Sequence, residues 1–235
     1  MKRDLTPLTF QTSILCKKIG IAKDGFYSSL KEVLYYNASD LNYLDSLGLG
    51  NEIDDSALDS RADRDVIPDQ PLCIGMDYNA NINWAVTGQV FRSEKYGRDA
   101  LHVLSSMFTK NERKLRELVQ DWNTYYAPHK ANNRLVYYYY DTTAKHKGYA
   151  ISGQQDFKDI VIEELRRFGW EVNAIDMGRP AEHELKHKDI NEALAGVSYP
   201  FIQIITENNE ALIVAMENTG VQIGRDGFRK DKSKE

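Results

Sequence analysis

Two aspartates stand out by position. Asp77 closes the apolar run Leu72-Cys73-Ile74-Gly75-Met76, and Asp141 closes the run RLVYYYY at 134–140. If these runs are neighbouring parallel strands, both carboxylates project from the same carboxyl edge of a sheet, where open α/β sheets bind ligands. Two carboxylates a few ångströms apart repel each other unless a cation lies between them. Hard oxygen donors that leave room for water and phosphate suit Mg²⁺ or Mn²⁺. Two such ions about 4 Å apart can activate water and stabilise the leaving oxygen of a phosphodiester. A single aspartate at a strand end more commonly caps a turn. Two of them on strands expected to be adjacent make the metal reading as strong as the capping one.

Other side chains carry weaker signals. His102 lies inside a strand pattern and reads as a satisfied strand histidine. His183 and His187 stand at i, i+4 on an expected helix, a zinc-compatible spacing, but no third ligand follows at useful spacing and a solvated helix face is the better reading. Lys145, His146 and Lys147 follow Asp141 closely; they read equally as contacts to a phosphate backbone and as a solvated basic loop. The tyrosine run 137–140 reads as core and sheet surface rather than a base-stacking platform. No G-x-x-x-x-G-K-[ST], G-x-S-x-G or G-x-G-x-x-G motif occurs, so no P-loop ATPase is expected in this stretch.

The elements that must position the two acids follow from periodicity. Residues 72–76 read as a buried strand ending at Asp77. Residues 83–92 and 100–108 read as two more, joined by the short turns Asn79-Ala80-Asn81 and Lys95-Tyr96-Gly97-Arg98, an antiparallel meander. The period then becomes helical: Leu115, Leu118, Val119, Trp122 and Tyr126 share one helix face. Thr109 and Glu112 fit a capping box at its start, and Pro128 marks its end. Residues 134–140 are a fourth strand. A second helix is predicted from Phe157, Ile160, Val161, Leu165 and Phe168, with Glu164 its one polar break, Ser152 and Gln155 as capping box and Gly169 as the stop. Residues 170–175 are a fifth strand, 181–195 and 208–218 are helical, and 199–206 are extended. A strand–helix–strand unit demands a right-handed parallel crossover, so the fourth strand is expected to return beside the first. The predicted class is α/β: a mixed sheet, three antiparallel strands followed by two parallel ones, flanked by helices.

Composition frames this reading. The chain has 235 residues, 42% of them apolar, and a net charge of −5. Residues 51–70 hold seven acids and two bases, the whole of that net charge, so the remainder is neutral and has room for a local basic groove. Residues 1–70 are predicted to be an arm or linker, partly irregular, with short docked turns; 71–235 form the main domain. No run of about 20 apolar residues suggests a membrane span, and MKRDLTPLTF lacks the apolar centre of a signal peptide. Cys16 and Cys73 make neither a disulfide framework nor a zinc site; free thiols are expected, with Cys73 buried in a strand.

Leu72–Gln89 (LCIGMDYNANINWAVTGQ) resembles the first acidic motif of the phage terminase large-subunit nuclease domain. Val136–Gly148 (VYYYYDTTAKHKG) resembles the second, and DGFYSSLKEVLYYNASDLNYLDSLG resembles the segment that links motor to nuclease in such proteins. The resemblance implies a ribonuclease H-like fold, shared in architecture with integrases and Holliday-junction resolvases. It also implies cutting of double-stranded phage DNA in the host cytoplasm during head filling, with two Mg²⁺ or Mn²⁺ ions held by three acids. Asp77 and Asp141 match the first two acids, with Asp77 bridging both ions and Asp141 holding one; Lys145 or Lys147 would hold the DNA backbone. The third acid follows a lysine-rich strand resembling Gly227–Ser233. Asp231 or Asp226 could supply it, but the expectation is that it lies past Glu235, the domain being truncated at its C-terminus. The implied partners are the terminase ATPase domain, the small subunit and the portal protein. Rival readings are a resolvase- or integrase-like nuclease of the same fold and a non-catalytic DNA-packaging module in which the acids are structural. A Rossmann-like transferase is disfavoured by the initial meander and the lack of a glycine-rich first turn.

Overall fold

The computed structural model of the chain describes residues 25–30, 35–36, 54, 56–63, 65–78, 82–93, 97–110, 114–145, 155–197, 200–224 and 227–231. Its centre is a mixed sheet. Strands β2 (Leu72–Tyr78), β3 (Ile82–Ser93) and β4 (Arg98–Lys110) form the predicted antiparallel meander. Helix α1 (Leu115–Tyr126) follows, then a 3-10 turn over Ala127–Ala131 that contains Pro128. Strand β5 (Leu135–Tyr140) returns parallel to β2 on its open side. After helix α2 (Phe157–Arg167), strand β6 (Glu171–Asp176) lies parallel beyond β5. Helix α3 (His183–Leu194) leads to β7 (Phe201–Ile205), which pairs parallel with β4 at the opposite side. The short strand β1 (Tyr35–Tyr36) adds to β7, giving the order β1-β7-β4-β3-β2-β5-β6. Helix α4 (Glu210–Asn218) precedes a separate hairpin, β8 (Gly220–Gly224) and β9 (Gly227–Asp231). The order β4-β3-β2-β5-β6, antiparallel then parallel, is the expected ribonuclease H-like mixed sheet flanked by helices.

One face of the sheet is closed by α1 and α2. Leu72, Ile74, Ala85, Leu104, Val136 and Tyr138 pack there against Leu118, Val119 and Trp122 of α1 and Ile160, Val161 and Leu165 of α2. Each large apolar side chain fully withdrawn from water contributes about 1.5–3 kcal/mol before its ordering entropy is counted. The polar atoms on this face are paired: the Trp122 indole donates to Thr87 Oγ1 at 2.8 Å, and the Ser105 and Tyr126 hydroxyls lie 2.7 Å apart. Glu164, the polar break in α2, is buried and ion-paired with Arg116 and, at 2.6 Å, with Arg167. On the other face, Val103, Ile204, Phe201, Leu194, Ile213 and Leu30 form a second cluster over the β4–β7 side only.

A bulge between Thr87 and Gly88 shifts the β3–β4 register, pairing Thr87 with Ser105 but Gly88 with Val103. Leu104 and Ser105 thereby both turn toward α1, a re-aiming typical of bulges. Glycine is required there, because a Cβ on Gly88 would sit 2.7 Å from the His102 carbonyl oxygen.

Several expectations are corrected. The first strand does not stop at Asp77; it continues to Tyr78, whose ring stacks on Phe157 at 5.0 Å. The α1 cap lies five residues later than predicted: Glu117 accepts from the Lys114 N–H, because Thr109 is buried in β4 opposite Asn83. Ser152 and Glu112 lie outside the described residues. Gly169 does end α2 with positive φ. Cys73 is half-buried rather than buried, and burial raises its thiol pKa. The acidic segment is anchored at its end: Gln89 exchanges hydrogen bonds with both the N–H and the carbonyl of Ile67 and donates to the Gln70 carbonyl. Val66 and Ile67 are buried with it. Among the described residues no helix is long and apolar enough to cross a membrane.

Candidate active site

The site is set by one register. Leu72, Cys73, Ile74 and Gly75 of β2 pair with Val136, Tyr137, Tyr138 and Tyr139 of β5. Carried two residues further, the same offset places Asp77 level with Asp141. Alternation puts Ile74, Tyr78 and Tyr138 on the helix-covered face, so Asp77 belongs to the opposite one, and Asp141 directly follows the last residue of β5. Asp77 is exposed and Asp141 half-buried. Asp141 Oδ1 accepts from the Thr143 N–H at 2.8 Å and from the Thr143 hydroxyl at 2.5 Å. This Asx turn starts the 3-10 segment Thr142–Lys145 and fixes the carboxylate. The capping role foreseen for a strand-end aspartate is thus real at Asp141, and it engages one oxygen.

Below the acids lies an aromatic support. The Tyr78 and Tyr138 hydroxyls hydrogen-bond across β2 and β5, and Tyr138 stacks on Tyr140 at 5.5 Å. Burial, the Tyr138 hydroxyl and the nearby Asp141 and Asp77 carboxylates all hold Tyr78 protonated far above the ordinary tyrosine range. The tyrosine run is core and sheet surface, as expected: Tyr138 is fully buried and Tyr139 is partly exposed.

The donor set suits a hard divalent cation. Both side chains are acceptors only, and among the described residues no lysine or arginine is ion-paired with either. A third ligand is not assembled: among the described residues no three His, Cys, Asp or Glu side chains gather to hold a metal. Asp231 lies in β9, paired with Gly220, and does not join Asp77 and Asp141 in such a group. Asp226 and Lys147 lie outside the described residues.

Lys145 does reach this edge, but it is ion-paired at 2.5 Å with Asp176, the last residue of β6. The Lys145 ammonium, with the Gly178 N–H, lowers the Asp176 carboxyl pKa. The sequence reading passed over Asp176, although it too ends a core strand. His183 and His187 form no metal group among the described residues. Nor are they a solvated face; His187 packs edge-on against Phe26 and Phe228 at 5.4 and 4.8 Å. His102 is buried with its Nε2 3.0 Å from Gln203 Oε1, a satisfied strand histidine.

Comparisons with known proteins add little. No family model matches the chain, and no curated protein matches it in sequence. A solved structure of Thermus thermophilus RuvC aligns with 62% of this chain and 92% of its own, at 13% identity and a TM-score of 0.32. So loose a superposition adds no support; the fold assignment rests on the strand order itself.

Proposed function

We propose that this chain is a divalent-metal-dependent endonuclease of the ribonuclease H type that hydrolyses DNA phosphodiesters at Asp77 and Asp141. The observation that carries this reading is the parallel pairing of β2 with β5, the strands whose carboxyl ends bear Asp77 and Asp141. Two bound Mg²⁺ or Mn²⁺ ions would supply water activation and stabilisation of the leaving oxygen. The chain's own part is to hold the two acids in fixed geometry, Asp77 through the β2–β3–β5 ladder and Asp141 through its Asx turn. The finer reading is the nuclease half of a phage terminase large subunit. It would act on double-stranded DNA in the host cytoplasm alongside the ATPase domain, the small subunit and the portal protein. Its support is the motif resemblance around Asp77 and Asp141.

A structure-selective nuclease of the same fold is the second reading. It is favoured by one observation: aromatic rings, Trp84 and Phe108, lie beside Asp77 on the same face.

The test is incubation with supercoiled plasmid in Mn²⁺, Mg²⁺ or EDTA, with Asp77→Asn and Asp141→Asn as controls. Metal-dependent nicking that both variants lose is the expected result. Cleavage that persists in EDTA, or in both variants, would overturn the site. Preference for intact duplex over branched DNA would favour the terminase reading over the structure-selective one.

A further inference from the structure

The ladder that places Asp77 also places a row of side chains across the sheet. Asp77 pairs with Trp84 of β3, and Trp84 pairs with Phe108 of β4. Directly opposed residues in an antiparallel ladder share a face, so Asp77, Trp84 and Phe108 form one line on the face not covered by α1 and α2, with Asp141 directly after the end of the neighbouring strand β5. The strands are about 4.8 Å apart, which puts Trp84 one strand and Phe108 two strands from Asp77.

The two rings meet at 4.6 Å between centroids, tilted by 36°. Phe108 is 38% exposed and Trp84 is half-buried. Lys110, also exposed, places its ammonium 4.9 Å from the Phe108 ring centre. One residue pair along from Asp77–Trp84 on this face is Gly75–Val86, and a Cβ on Gly75 would meet nothing within 4 Å. Among the described residues the face is therefore open beside Gly75. Its components are a carboxylate pair, two aromatic planes and a cation, in that order.

We propose that Trp84 and Phe108 stack an unpaired DNA base next to the phosphate that divalent ions bound by Asp77 and Asp141 would hold, with Lys110 on a neighbouring backbone phosphate. This rests on the nuclease reading above and deepens it. Aromatic planes accept any base face, and each stacked base is worth a measurable share of single-strand affinity. An intact duplex hides its base faces, so the substrate class is DNA with an unpaired nucleotide at the cut: a frayed end, a branch or a locally opened duplex. The β3–β4 bulge is what brings Phe108 and Lys110 to this side, next to the acids.

The experiment is fluorescence anisotropy of labelled oligo-dT and of a blunt duplex of equal length, with EDTA present so that nothing is cut. The full chain is compared with Trp84→Leu, Phe108→Leu, the double variant, Lys110→Ala and Asp77→Asn. Leucine keeps apolar bulk and removes the aromatic plane, and an unchanged circular dichroism spectrum confirms the fold. Each leucine variant is expected to weaken oligo-dT binding about tenfold, with duplex affinity changed less than about twofold. Lys110→Ala is expected to lower the salt slope of binding by about one. Oligo-dT affinity in the double variant within about twofold of the parent, or no oligo-dT binding by the parent, overturns the proposal. Asp77→Asn, assayed separately for plasmid nicking in Mn²⁺ without EDTA, separates the two readings. If it still cuts, the assignment of the cleavage site to Asp77 falls, while a loss of oligo-dT binding in the leucine variants still upholds the stacking platform.

Discussion

Asp77 lies near the end of β2 and Asp141 directly follows β5, the parallel strand paired with β2, although 63 residues of meander, helix and turn separate them in the chain. Replacing either with asparagine keeps the shape and removes the charge that a divalent ion needs. Cleavage is expected to fall by more than about 100-fold in each variant, since even residues that merely support metal ligands cost 10–100-fold. Both side chains are at least partly exposed, so the midpoint of urea unfolding should stay within about 0.5 kcal/mol of the parent. A large stability loss accompanying the activity loss would show that the acids are structural.

His102 should govern acid sensitivity. Burial lowers its pKa from 6.5 to about 4, and the hydrogen bond with Gln203 offsets only part of that. The unfolded chain therefore binds the proton more readily than the native one between these values. Stability is fully present above about pH 6.5 and is lost as pH falls toward 4, at up to about 1.4 kcal/mol per pH unit. Urea unfolding across pH 4–7 should show this slope, and His102→Gln should flatten it. An unchanged slope in the variant would assign the acid sensitivity elsewhere.

The Trp122–Thr87 hydrogen bond joins α1 to the middle of the sheet inside the core. Trp122→Phe leaves the Thr87 hydroxyl buried without its donor and opens space beside Trp170, whose ring lies 5.1 Å from that of Trp122. A loss of about 2–4 kcal/mol is expected from the orphaned acceptor and the cavity together. Thr87→Val in the Trp122→Phe background should recover part of it, because both polar partners are then gone. Chemical denaturation of the three variants forms the test.

Gly88→Ala should cost about 1–3 kcal/mol, since its Cβ would strike the His102 carbonyl oxygen, which cannot give way as the Leu101 side chain beside it can. Thermal unfolding gives the measurement; a stabilised variant would mean that the bulge is not strained by a side chain.

Much of this was legible in the sequence for physical reasons. Leu115, Leu118, Val119, Trp122 and Tyr126 repeat at helical spacing because they face one core, and all are buried. The run 135–140 is branched or aromatic at every position, and it is a strand with core on one side. The adjacency of β2 and β5, the strands that lead to Asp77 and Asp141, could be read from strand order alone. Long-range choices were not legible. The addition of β7 beside β4 depends on Ile202 and Ile204 finding Leu101 and Val103 a hundred residues earlier, and no local pattern encodes that. The Lys145–Asp176 pair joins two loop-edge residues that only the β5–β6 ladder brings together. The aromatic row through Trp84 was hidden for a subtler reason: regular alternation along β4, counted from Val103, turns Phe108 and Lys110 the other way.

That last point gives the bulge a meaning beyond local geometry. It acts as a parity switch in β4. Upstream of it, odd-numbered positions such as Val103 face the α3–α4 side; downstream, even-numbered ones such as Phe108 do. What this face displays beside the two acids is therefore governed by a residue count as well as by residue identity. Losing Leu104 would restore strict alternation and leave the Phe108 ring and the Lys110 ammonium on this face, whereas losing Ser106 with the bulge kept would turn both toward α1 and present Met107 and Thr109 in their place. Such a deletion would change the chemistry of the face without substituting any residue on it.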